Sequence, residues 1–400
     1  MAFVKIIELS PCMIPNNSLL RRDEIRSIKD QQLNYKSKYD YKTLCYDVFK
    51  KGNNIIFSGP PLYGLENLLN EGDFFLDNKK IPNEKISTKL LNRLQKNTVH
   101  LNNFENHSKF KWKYSDIMQE VLIREEFTSL FENKKVLLSK SKDNEMYWIE
   151  DWIHYYIYNH NIDSVLLYDN NSNKYSINEL KTYLETKFSD KITIILIPWN
   201  FPYGPAGGFQ KDLDKEVPWD SDFCQYGIME HAKERFLSKA YGVINVDIDE
   251  LIITPKNTNI FDYLKKNKGV IFNGKWIENI PCQKLNERRF FNFIFYDKKS
   301  YKANPKWCIS PQQINSDLQW YIHSVEEPKL LKSKKIYHAH FKAINTSWQF
   351  DRSEISFKPK VHKIDKELKN ILLSTFNKPI HSEEKKPKVN FFKKILGSFF

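Results

Sequence analysis

The 400-residue sequence predicts an α/β fold with a mostly parallel sheet, helices on both of its faces and an additional N-terminal α+β region. Between residues 135 and 250, short apolar runs alternate with amphipathic segments, the order expected when a helix follows each strand and crosses back over the sheet. Acidic and amide residues directly follow several of the apolar runs, and sheets of this kind bind their ligands at the carboxyl ends of their strands.

The strands of this sheet are predicted from apolar runs of three to six residues bounded by polar turns. They are expected at residues 136–138, 164–168, 192–197 and 243–246. After residue 251 the pattern becomes more β-like, with further runs at 269–278, 289–296 and 335–341. These additional strands extend the predicted domain beyond its helix-and-strand core.

Three helices are predicted between the strands. Residues 145–160 have a helical apolar period on one face, formed by Ile149, Trp152, Ile153, Tyr156 and Ile157. Ser176 and Glu179 have the spacing of a capping box for a second helix that ends near residue 188. Asp222 and Gln225 could cap a third helix that runs to about residue 240.

Three regions are predicted: residues 1–130, of unknown role, an α/β domain at 131–352, and a basic tail at 353–400. Gly59 and Gly64 have the glycine spacing of a phosphate-binding loop. The residues that follow are Leu65 and Glu66 instead of the Lys and Ser or Thr that would hold phosphate and magnesium. We therefore interpret this segment as a structural turn.

Composition narrows the class of protein without choosing a partner. Lys and Arg total 62 against 49 Asp and Glu, so the net charge of +13 permits nucleic acid, anionic lipid or phosphorylated partners. The five cysteines form no CxxC pair, which argues against a zinc knuckle or a disulfide framework and favours a reducing cytoplasm. We expect no signal peptide, because Glu8 interrupts the N-terminal apolar stretch. We also expect no transmembrane segment, because Pro and Gly interrupt the longest uncharged run, residues 192–210.

The last thirteen residues, 388–400, combine apolar and basic side chains. One predicted helical face carries Val389, Phe392, Ile395, Leu396 and Phe399, with lysines around it. This composition is typical of a helix on an anionic membrane surface, and the alternative is a short helix that packs back on the domain. The sequence thus predicts a cytoplasmic protein that could be peripheral at the inner face of a membrane.

Asp247 and Asp249 are the central candidate for metal binding. Two residues apart on an extended backbone, their carboxylates would project to one side and share a divalent cation. Two further DxD triplets exist, but this one lies between the apolar runs VINV and LII, where buried carboxylates need a cation or strong hydrogen bonds. His338 and His340 would share one face of a strand, as a metal pair or as ordinary packing.

Other polar residues at strand ends have two interpretations each. Asp169 and Asn170 could contact a ribose or a base, or form an Asx turn. Asn144 and Glu145 could contact a ligand or cap the helix that follows them. Gln225 could likewise contact a ligand or act as a capping residue.

Taken together, these segments resemble the family-2 and family-92 glycosyltransferases of the GT-A fold. The resemblance rests on three blocks: KDNEMYWIEDWIHYYIYNHNIDSVLLYDNNSN, CQYGIMEHAKERFLSKAYGVINVDIDELI and KIYHAHFKAINTSWQFDR. It spans residues 135 to about 352. The chain departs from the family pattern by an inserted Asp143, which shifts the first loop by one residue, and by Leu251 in place of a phenylalanine.

The resemblance implies a metal-dependent enzyme that transfers a sugar from a nucleotide-sugar donor to a glycan, a lipid-linked or a protein acceptor, in bacterial surface polysaccharide synthesis. Mn²⁺ or Mg²⁺ would be held by Asp247, Asp249 and His340. It places these residues at the nucleotide sugar: Asn144, Glu145, Asp169, Asn170, Gln225, Asp247 and Arg352. Inverting transfer also needs a carboxylate base, for which Glu278 is the candidate, with a surface glutamate as the alternative.

Two other functions compete with this interpretation. A nucleic-acid-binding protein would explain the net charge, but the charge is diffuse and no nucleic-acid-binding module is apparent, so we expect no nucleic-acid partner. A metal-dependent phosphohydrolase often needs more ligands than two aspartates and one histidine, because many such enzymes use two metals.

Overall fold

The computed structural model describes residues 2–101, 108–115, 117–256, 258–280, 288–299, 302–346, 358 and 360–376. Arg352 and the segment 388–400 lie outside these residues, so the predictions made for them are not addressed by the structure. No helix in the described ranges combines the length and the apolar character that crossing a bilayer requires.

The N-terminal part consists mainly of short strands. Its elements are β1 (Val4–Ile6), β2 (Cys12–Met13), α1 (Tyr35–Lys38), β3 (Thr43–Cys45), β4 (Asp47–Lys51), β5 (Asn54–Gly59), α2 (Asn67–Asn70), β6 (Asp73–Leu76), β7 (Lys79–Ile81), β8 (Ile86–Leu91), β9 (Leu94–His100), β10 (Lys109–Tyr114) and β11 (Ile117–Leu122).

The remaining elements alternate between strands and helices up to β17 and are mostly strands afterwards. They are β12 (Lys135–Ser141), α3 (Met146–His160), β13 (Ser164–Asp169), α4 (Ile177–Phe188), β14 (Thr193–Pro198), β15 (Gly208–Gln210), β16 (Lys215–Val217), α5 (Phe223–His231), β17 (Gly242–Asn245), β18 (Glu250–Ile253), β19 (Gly269–Ile277), β20 (Phe295–Asp297), β21 (Lys302–Ile309), β22 (Leu331–Phe341), β23 (His362–Ile364) and α6 (Lys366–Phe376).

A nine-stranded sheet forms the centre of the fold, in the order β1-β14-β13-β12-β17-β21-β19-β22-β18. Within this sheet, the five neighbouring strands β1, β14, β13, β12 and β17 pair in parallel, and β19 also pairs in parallel with β22. The predicted α/β class with a mostly parallel sheet is therefore confirmed. Because Val4 of β1 pairs with Ile194 of β14, the sheet includes a strand from residues 1–130, and the predicted boundary near residue 130 stays a prediction.

Helices cover both faces of the sheet, as predicted. Leu137, Val165 and Ile194 pack with α3 and α4 in one core. Val136 and Leu166 point to the opposite face and pack with α5. This alternation follows from the two-residue period of a strand, which sends neighbouring side chains to opposite faces.

Two helix predictions have different outcomes. The capping box of α4 is formed, because the Ser176 hydroxyl accepts from the Glu179 amide and the Glu179 carboxylate accepts from the Ser176 amide. Asp222 is the N-cap residue of α5, where the helix was predicted to begin, but its side chain makes no cap bond and instead accepts a 2.8 Å bond from Arg93. Beyond α5 the chain continues as a π-helix to Leu237.

The strand predicted at residues 289–296 is only partly present. Residues Phe290–Asn292 form a 3-10 turn, and the strand β20 begins at Phe295. The apolar run is explained by burial, since Phe290 and Phe293 are both fully buried in the main core. A run of apolar residues alone does not separate a strand from a buried turn.

The N-terminal part contains two four-stranded antiparallel sheets, β4-β5-β9-β8 and β11-β10-β6-β7. Phe57, Phe74, Phe110 and Trp112 form an aromatic cluster between them. The segment from Gly59 to Gly64 bends away from the end of β5, in agreement with a structural turn.

A buried polar network joins the N-terminal part to the α/β part. The carboxylate of Asp47 accepts bonds from His231 Nε2 at 2.9 Å and from Arg235 at 2.7 Å. The other nitrogen of His231 lies 2.8 Å from the Tyr168 hydroxyl. Burial raises the pKa of Asp47, but Arg235 and His231 outweigh it and hold that pKa below its ordinary value.

A buried histidine at the end of α3 makes stability depend on pH. His160 Nε2 donates to the Ile252 carbonyl, and burial lowers the pKa of His160 from 6.5 to about 4. Between these values the unfolded chain binds the proton and the folded chain does not, so the free energy of unfolding decreases as the pH falls. The complete shift corresponds to about 3 kcal/mol.

We expect His160→Gln, which keeps a donor for the Ile252 carbonyl, to reduce this loss. Urea unfolding of both proteins above pH 7 and near pH 5 measures the effect. The wild type should lose more stability than the variant on acidification. Equal losses would show that His160 is protonated without cost in the folded state.

Candidate active site

The carboxyl ends of three neighbouring parallel strands, β13, β12 and β17, meet at one edge of the sheet. A cavity of about 150 Å³ lies there. Its lining includes five residues predicted for the site: Asn144, Asn170, Asp247, Asp249 and His340. The structure therefore brings together residues that are separated by up to 196 positions in the sequence (340 − 144).

Asp247 is held by two lysines. Its Oδ1 accepts a 2.9 Å bond from Lys140 on β12, and its Oδ2 accepts a 2.6 Å bond from Lys306 on β21. Burial raises the pKa of Asp247, but the charges of Lys140 and Lys306 outweigh it and hold that pKa well below its ordinary value. Asp247 is therefore a carboxylate at any physiological pH.

Asp247, Asp249 and Glu250 form a cluster of three carboxylates, referred to below as the carboxylate cluster. One oxygen from each lies within 4.8 Å of the others. The predicted extended backbone is wrong, because residues 248–249 form a turn. The turn is closed by the Glu250 amide, which donates to the Asp247 carbonyl, and by the Glu250 carboxylate, which accepts from the Asp247 amide at 2.8 Å.

The charges around the carboxylate cluster favour the binding of a divalent cation. Carboxylate oxygens are the ligands that Mn²⁺ and Mg²⁺ take in proteins. Lys140 and Lys306 supply two positive charges to the three carboxylates, and Glu250 is only 1% exposed. A buried carboxylate needs a compensating charge, so an additional cation beside Asp249 is electrostatically favourable.

His340 lies on β22 directly opposite Glu250 of β18. Its Nε2 is 3.0 Å from Asp249 Oδ2, and its Nδ1 is 3.4 Å from Glu250 Oε1. The Trp276 ring stacks on the imidazole with centroids 3.9 Å apart. The Asp249 carboxylate only accepts, so Nε2 donates to it in this structure. If the imidazole proton moved to Nδ1, which faces Glu250, the Nε2 lone pair would become available to a cation, as in a metal-binding histidine held by a second carboxylate.

His338 is fully buried, and its position limits what it can do. Its Nε2 must donate to the Asn304 carbonyl at 2.9 Å, because a carbonyl only accepts. Its Nδ1 has no hydrogen-bond partner among the described residues and lies 3.5 Å from Glu250 Oε1. A Cβ at Gly274 would lie 2.4 Å from the ring, so close packing fixes the imidazole beside Glu250.

The remaining predicted nucleotide residues have varied positions. Asn170 lines the cavity, but its amide donates to the carbonyls of Trp199 and Phe201. The Asp169 carboxylate accepts from the Ser172 hydroxyl at 2.6 Å in an Asx turn, and Asp169 is not part of the cavity lining.

Asn144 and Glu145 follow the inserted Asp143. Asn144 lines the cavity and donates to the Ser141 hydroxyl, whereas the Glu145 carboxylate accepts from Lys174 away from the lining. Asp143 has a φ of 56°, and its carboxylate accepts from the amides of Asn173 and Lys174. The inserted residue therefore ties the loop after β12 to the loop after β13.

Glu278, the predicted base, is 2% exposed and lines neither this cavity nor the second one described below. Both of its carboxylate oxygens accept from Lys342, at 2.8 and 2.9 Å. Its role as a base stays a prediction. In that role, an acceptor hydroxyl would have to replace Lys342 as the hydrogen-bond partner of the Glu278 carboxylate.

A second cavity, of about 790 Å³, adjoins the first. Lys140, Tyr203, Asp247 and His340 line both, so the two cavities meet at the carboxylate cluster. Gln225, which is 7% exposed, lines the second cavity and not the first.

The sequence did not indicate three residues of the centre, namely Lys140, Lys306 and Glu250. Lys140 lies near the end of β12 and Lys306 in the interior of β21, and a lysine next to the apolar residues of a strand is the signal that could have identified them. Glu250 directly follows the DxD triplet at the same strand end, and its position alone assigns it no role as a ligand.

Comparison with known proteins leaves the family open. Neither a protein-family model nor a curated protein matches the sequence. The chain is similar to solved structures of the mannosyltransferase Ktr4p from S. cerevisiae, with 13% identity over 38% of this chain and 41% of that one and a TM-score of 0.25. For Ktr4p in complex with GDP the identity is 11%, the coverage 38% and 42%, and the TM-score 0.25.

Core-mannan synthase A (CmsA/Ktr4) from Aspergillus fumigatus, in its Mn/GDP form, matches with 7% identity over 44% of this chain and 57% of that one, at a TM-score of 0.24. The chain thus spans between about two fifths and somewhat over half of these proteins. None of these comparisons identifies a family. The similarity is too low to carry an inference, and the resemblance to families 2 and 92 stays a prediction without a matching family model.

Proposed function

We propose that this protein is a metal-dependent glycosyltransferase that uses a nucleotide-sugar donor. The observation that carries the proposal is the carboxylate cluster with His340, at the meeting point of three parallel strand ends and of two cavities. Ligands of parallel sheets bind at this edge. The first cavity, of about 150 Å³, would hold the part of the nucleotide nearest the cation, and the second would admit the acceptor.

The residues that would hold Mn²⁺ or Mg²⁺ are Asp247, Asp249 and His340, with Glu250 orienting the imidazole. When bound, the cation supplies positive charge that neutralises the leaving diphosphate. Lys140 and Lys306 place two further positive charges beside the same position. Asn144 and Asn170 would line the nucleotide side, and Asp169 would support them through its turn.

Glu278 is retained as the proposed base, and a pair of variants tests it. If it takes the acceptor proton, Glu278→Gln should lower the transfer rate at saturating substrates about a hundredfold or more while Mn²⁺-dependent nucleotide binding is unchanged. Lys342→Met is the matched control, because it removes the same ion pair and keeps the carboxylate. Equal effects of both variants on rate and stability would assign Glu278 to the ion pair alone.

The phosphohydrolase remains the second candidate, because the structure adds Glu250 and His338 to the ligands counted in the sequence. Lys306 opposes a second cation at Glu250, since its Nζ lies 3.5 Å from the carboxylate. Product analysis separates the two functions: a transferase forms a new glycoside, and a phosphohydrolase releases inorganic phosphate.

We further propose a cellular role, a location and additional donor contacts for this enzyme. They are a role in bacterial surface polysaccharide synthesis, a cytoplasmic location, contact of residues 388–400 with an anionic membrane, and Arg352 and Gln225 as donor contacts. Gln225 lies in the second cavity, so a contact with the donor would have to be made near the transferred sugar.

A thermal-shift series with UDP and GDP, each with and without Mn²⁺, tests the proposed function. Ligands that bind only the folded state raise its stability by mass action, about 2.7 kcal/mol at a hundred times the dissociation constant. Stabilisation by a nucleoside diphosphate that requires Mn²⁺ supports the transferase. Stabilisation by a single-stranded oligonucleotide instead would favour the nucleic-acid-binding alternative.

A further inference from the structure

The second cavity has the size of a substrate site and its own chemical character. Its volume of about 790 Å³ lies within the range of about 300–1,000 Å³ that is typical of small-molecule sites. Five aromatic side chains line it: Tyr203, Trp219, Tyr226, Trp276 and Tyr321. Three amide side chains accompany them: Asn92, Gln225 and Asn304.

This lining fits a sugar ring. Aromatic faces accept the apolar C–H face of a pyranose, and amide groups bind its hydroxyl edge. The charged side chains of the lining are three cations and three carboxylates: Arg93, Lys140, Lys302, Asp222, Asp247 and Glu250. Arg93 is paired with Asp222, and Lys140 with Asp247. The balance of charge favours an uncharged, hydroxylated ligand over a phosphate.

Trp219 is the most accessible of the aromatic residues named above. Its side chain is 40% exposed although it lines the cavity. A Cβ at Gly207 would lie only 2.6 Å from Cγ of the indole, so the ring packs against the glycine backbone. An exposed indole whose orientation is set by the backbone is ready to stack on a ligand at low entropic cost.

One wall of the cavity comes from the N-terminal part of the chain, for which the sequence indicated no role. Asn92 and Arg93 are the two-residue loop between β8 and β9. The Asn92 amide donates to Gln319 Oε1 at 2.9 Å, and Gln319 Nε2 donates back to the Asn92 carbonyl at 3.0 Å. Arg93 donates to Asp222 at 2.8 Å, with its guanidinium 4.6 Å from the ring centroid of Tyr226.

These contacts attach the hairpin tip to two separate segments of the α/β part, around residues 222–226 and around residue 319. The tip therefore forms a fixed wall of the cavity. Asn92 is exposed, and its backbone makes the two bonds to Gln319, so its side-chain amide can turn to a ligand without disturbing the attachment.

We propose that the second cavity binds the acceptor, that this acceptor is a saccharide, and that the β8–β9 hairpin contributes to its recognition through Asn92 and Arg93. The proposal rests on the glycosyltransferase function proposed above, because it takes the carboxylate cluster as the place where the donor sugar lies. It gives residues 1–130 a part in choosing the acceptor.

Ligand-observed NMR with the full chain tests the proposal, with maltose, cellobiose, lactose, mannobiose and chitobiose as probes in the presence of Mn²⁺ and UDP or GDP. At least one disaccharide should receive saturation from the wild type. Trp219→Ala should weaken that binding about tenfold, the equivalent of one lost aromatic contact. Asn92→Ala should weaken it about threefold, as for one lost hydrogen bond.

Phe209→Ala is the matched control, because Phe209 is 53% exposed on β15 and is not part of the cavity lining. It should leave disaccharide binding unchanged, and all three variants should keep Mn²⁺-dependent nucleotide binding. Melting curves confirm that the variants fold, which is expected since the three side chains are exposed.

Three outcomes would overturn the proposal in distinguishable ways. If the chain binds nucleotide with Mn²⁺ but none of the disaccharides, the acceptor assignment is wrong and the transferase stands. If Trp219→Ala weakens nucleotide binding instead, the cavity holds the base of the donor. If a disaccharide binds through Trp219 but no nucleotide binds with Mn²⁺, the cavity is a saccharide site of another function and the transferase falls.

Discussion

Asp249→Asn is expected to abolish Mn²⁺-dependent binding of a nucleoside diphosphate and to lower sugar transfer about a hundredfold or more. The carboxylate lies 3.0 Å from His340 Nε2 and within 4.8 Å of the oxygens of Asp247 and Glu250, so it is central to the proposed cation site. An amide keeps the shape of the side chain and removes its charge, and a cation that neutralises a leaving diphosphate contributes several kcal/mol to the transition state.

Binding is measured by Mn²⁺ titration with and without UDP or GDP, and transfer by product formation. Because the Asp249 side chain is partly exposed, at 16%, the variant should melt as cooperatively as the wild type. Asp212→Asn is the control from a second DxD triplet, since Asp212 accepts only the Leu33 amide among the bonds seen here and lies outside both cavities. Near-normal nucleotide binding by Asp249→Asn would remove Asp249 from the metal site.

The sequence was most informative where a regular period and a buried face coincide. The parallel strands and α3 and α4 could be predicted because apolar side chains must alternate in a strand and recur every three to four residues in a helix. The cluster of Asn144, Asn170, Asp247 and Asp249 could be predicted for a related reason: the carboxyl ends of parallel strands share one edge.

The sequence was least informative about contacts between distant segments. The pairing of Asp247 with Lys306 depends on β21 lying beside β17, and the pairing of Asp222 with Arg93 depends on the position of a hairpin 129 residues away. Local spacing predicted a helix cap for Asp222, but the ion pair across the chain prevailed because a charged partner binds a carboxylate more strongly than an amide does. Such contacts follow from tertiary structure and not from spacing.

Lys306→Met is expected to destabilise the protein in the absence of metal and to make its stability depend on Mn²⁺. Lys306 is 1% exposed and donates to Asp247 at 2.6 Å, with Glu250 at 3.5 Å. Burial lowers the pKa of Lys306, but the two carboxylates outweigh it and hold that pKa above its ordinary value, so the side chain is charged. Its removal leaves the carboxylates with one fewer cation.

Removing one partner of a buried ion pair costs roughly 3–5 kcal/mol, and the lower end applies here because the Asp247 side chain is 30% exposed. Mn²⁺ bound at the carboxylate cluster would supply the missing charge, so the increase in unfolding free energy on adding Mn²⁺ should be larger for the variant than for the wild type. Chemical denaturation with and without Mn²⁺ measures both quantities.

Lys233→Met provides a matched control for this prediction. Lys233 is also buried and bonded to a carboxylate, Glu230, at 2.9 Å, but it lines neither cavity. Both variants should lose stability without metal, because each leaves a buried carboxylate with less compensation, and only Lys306→Met should regain it with Mn²⁺. Equal recovery of the two variants would mean that Mn²⁺ stabilises the fold from elsewhere, and no recovery of Lys306→Met would contradict a cation site at Asp247, Asp249 and His340.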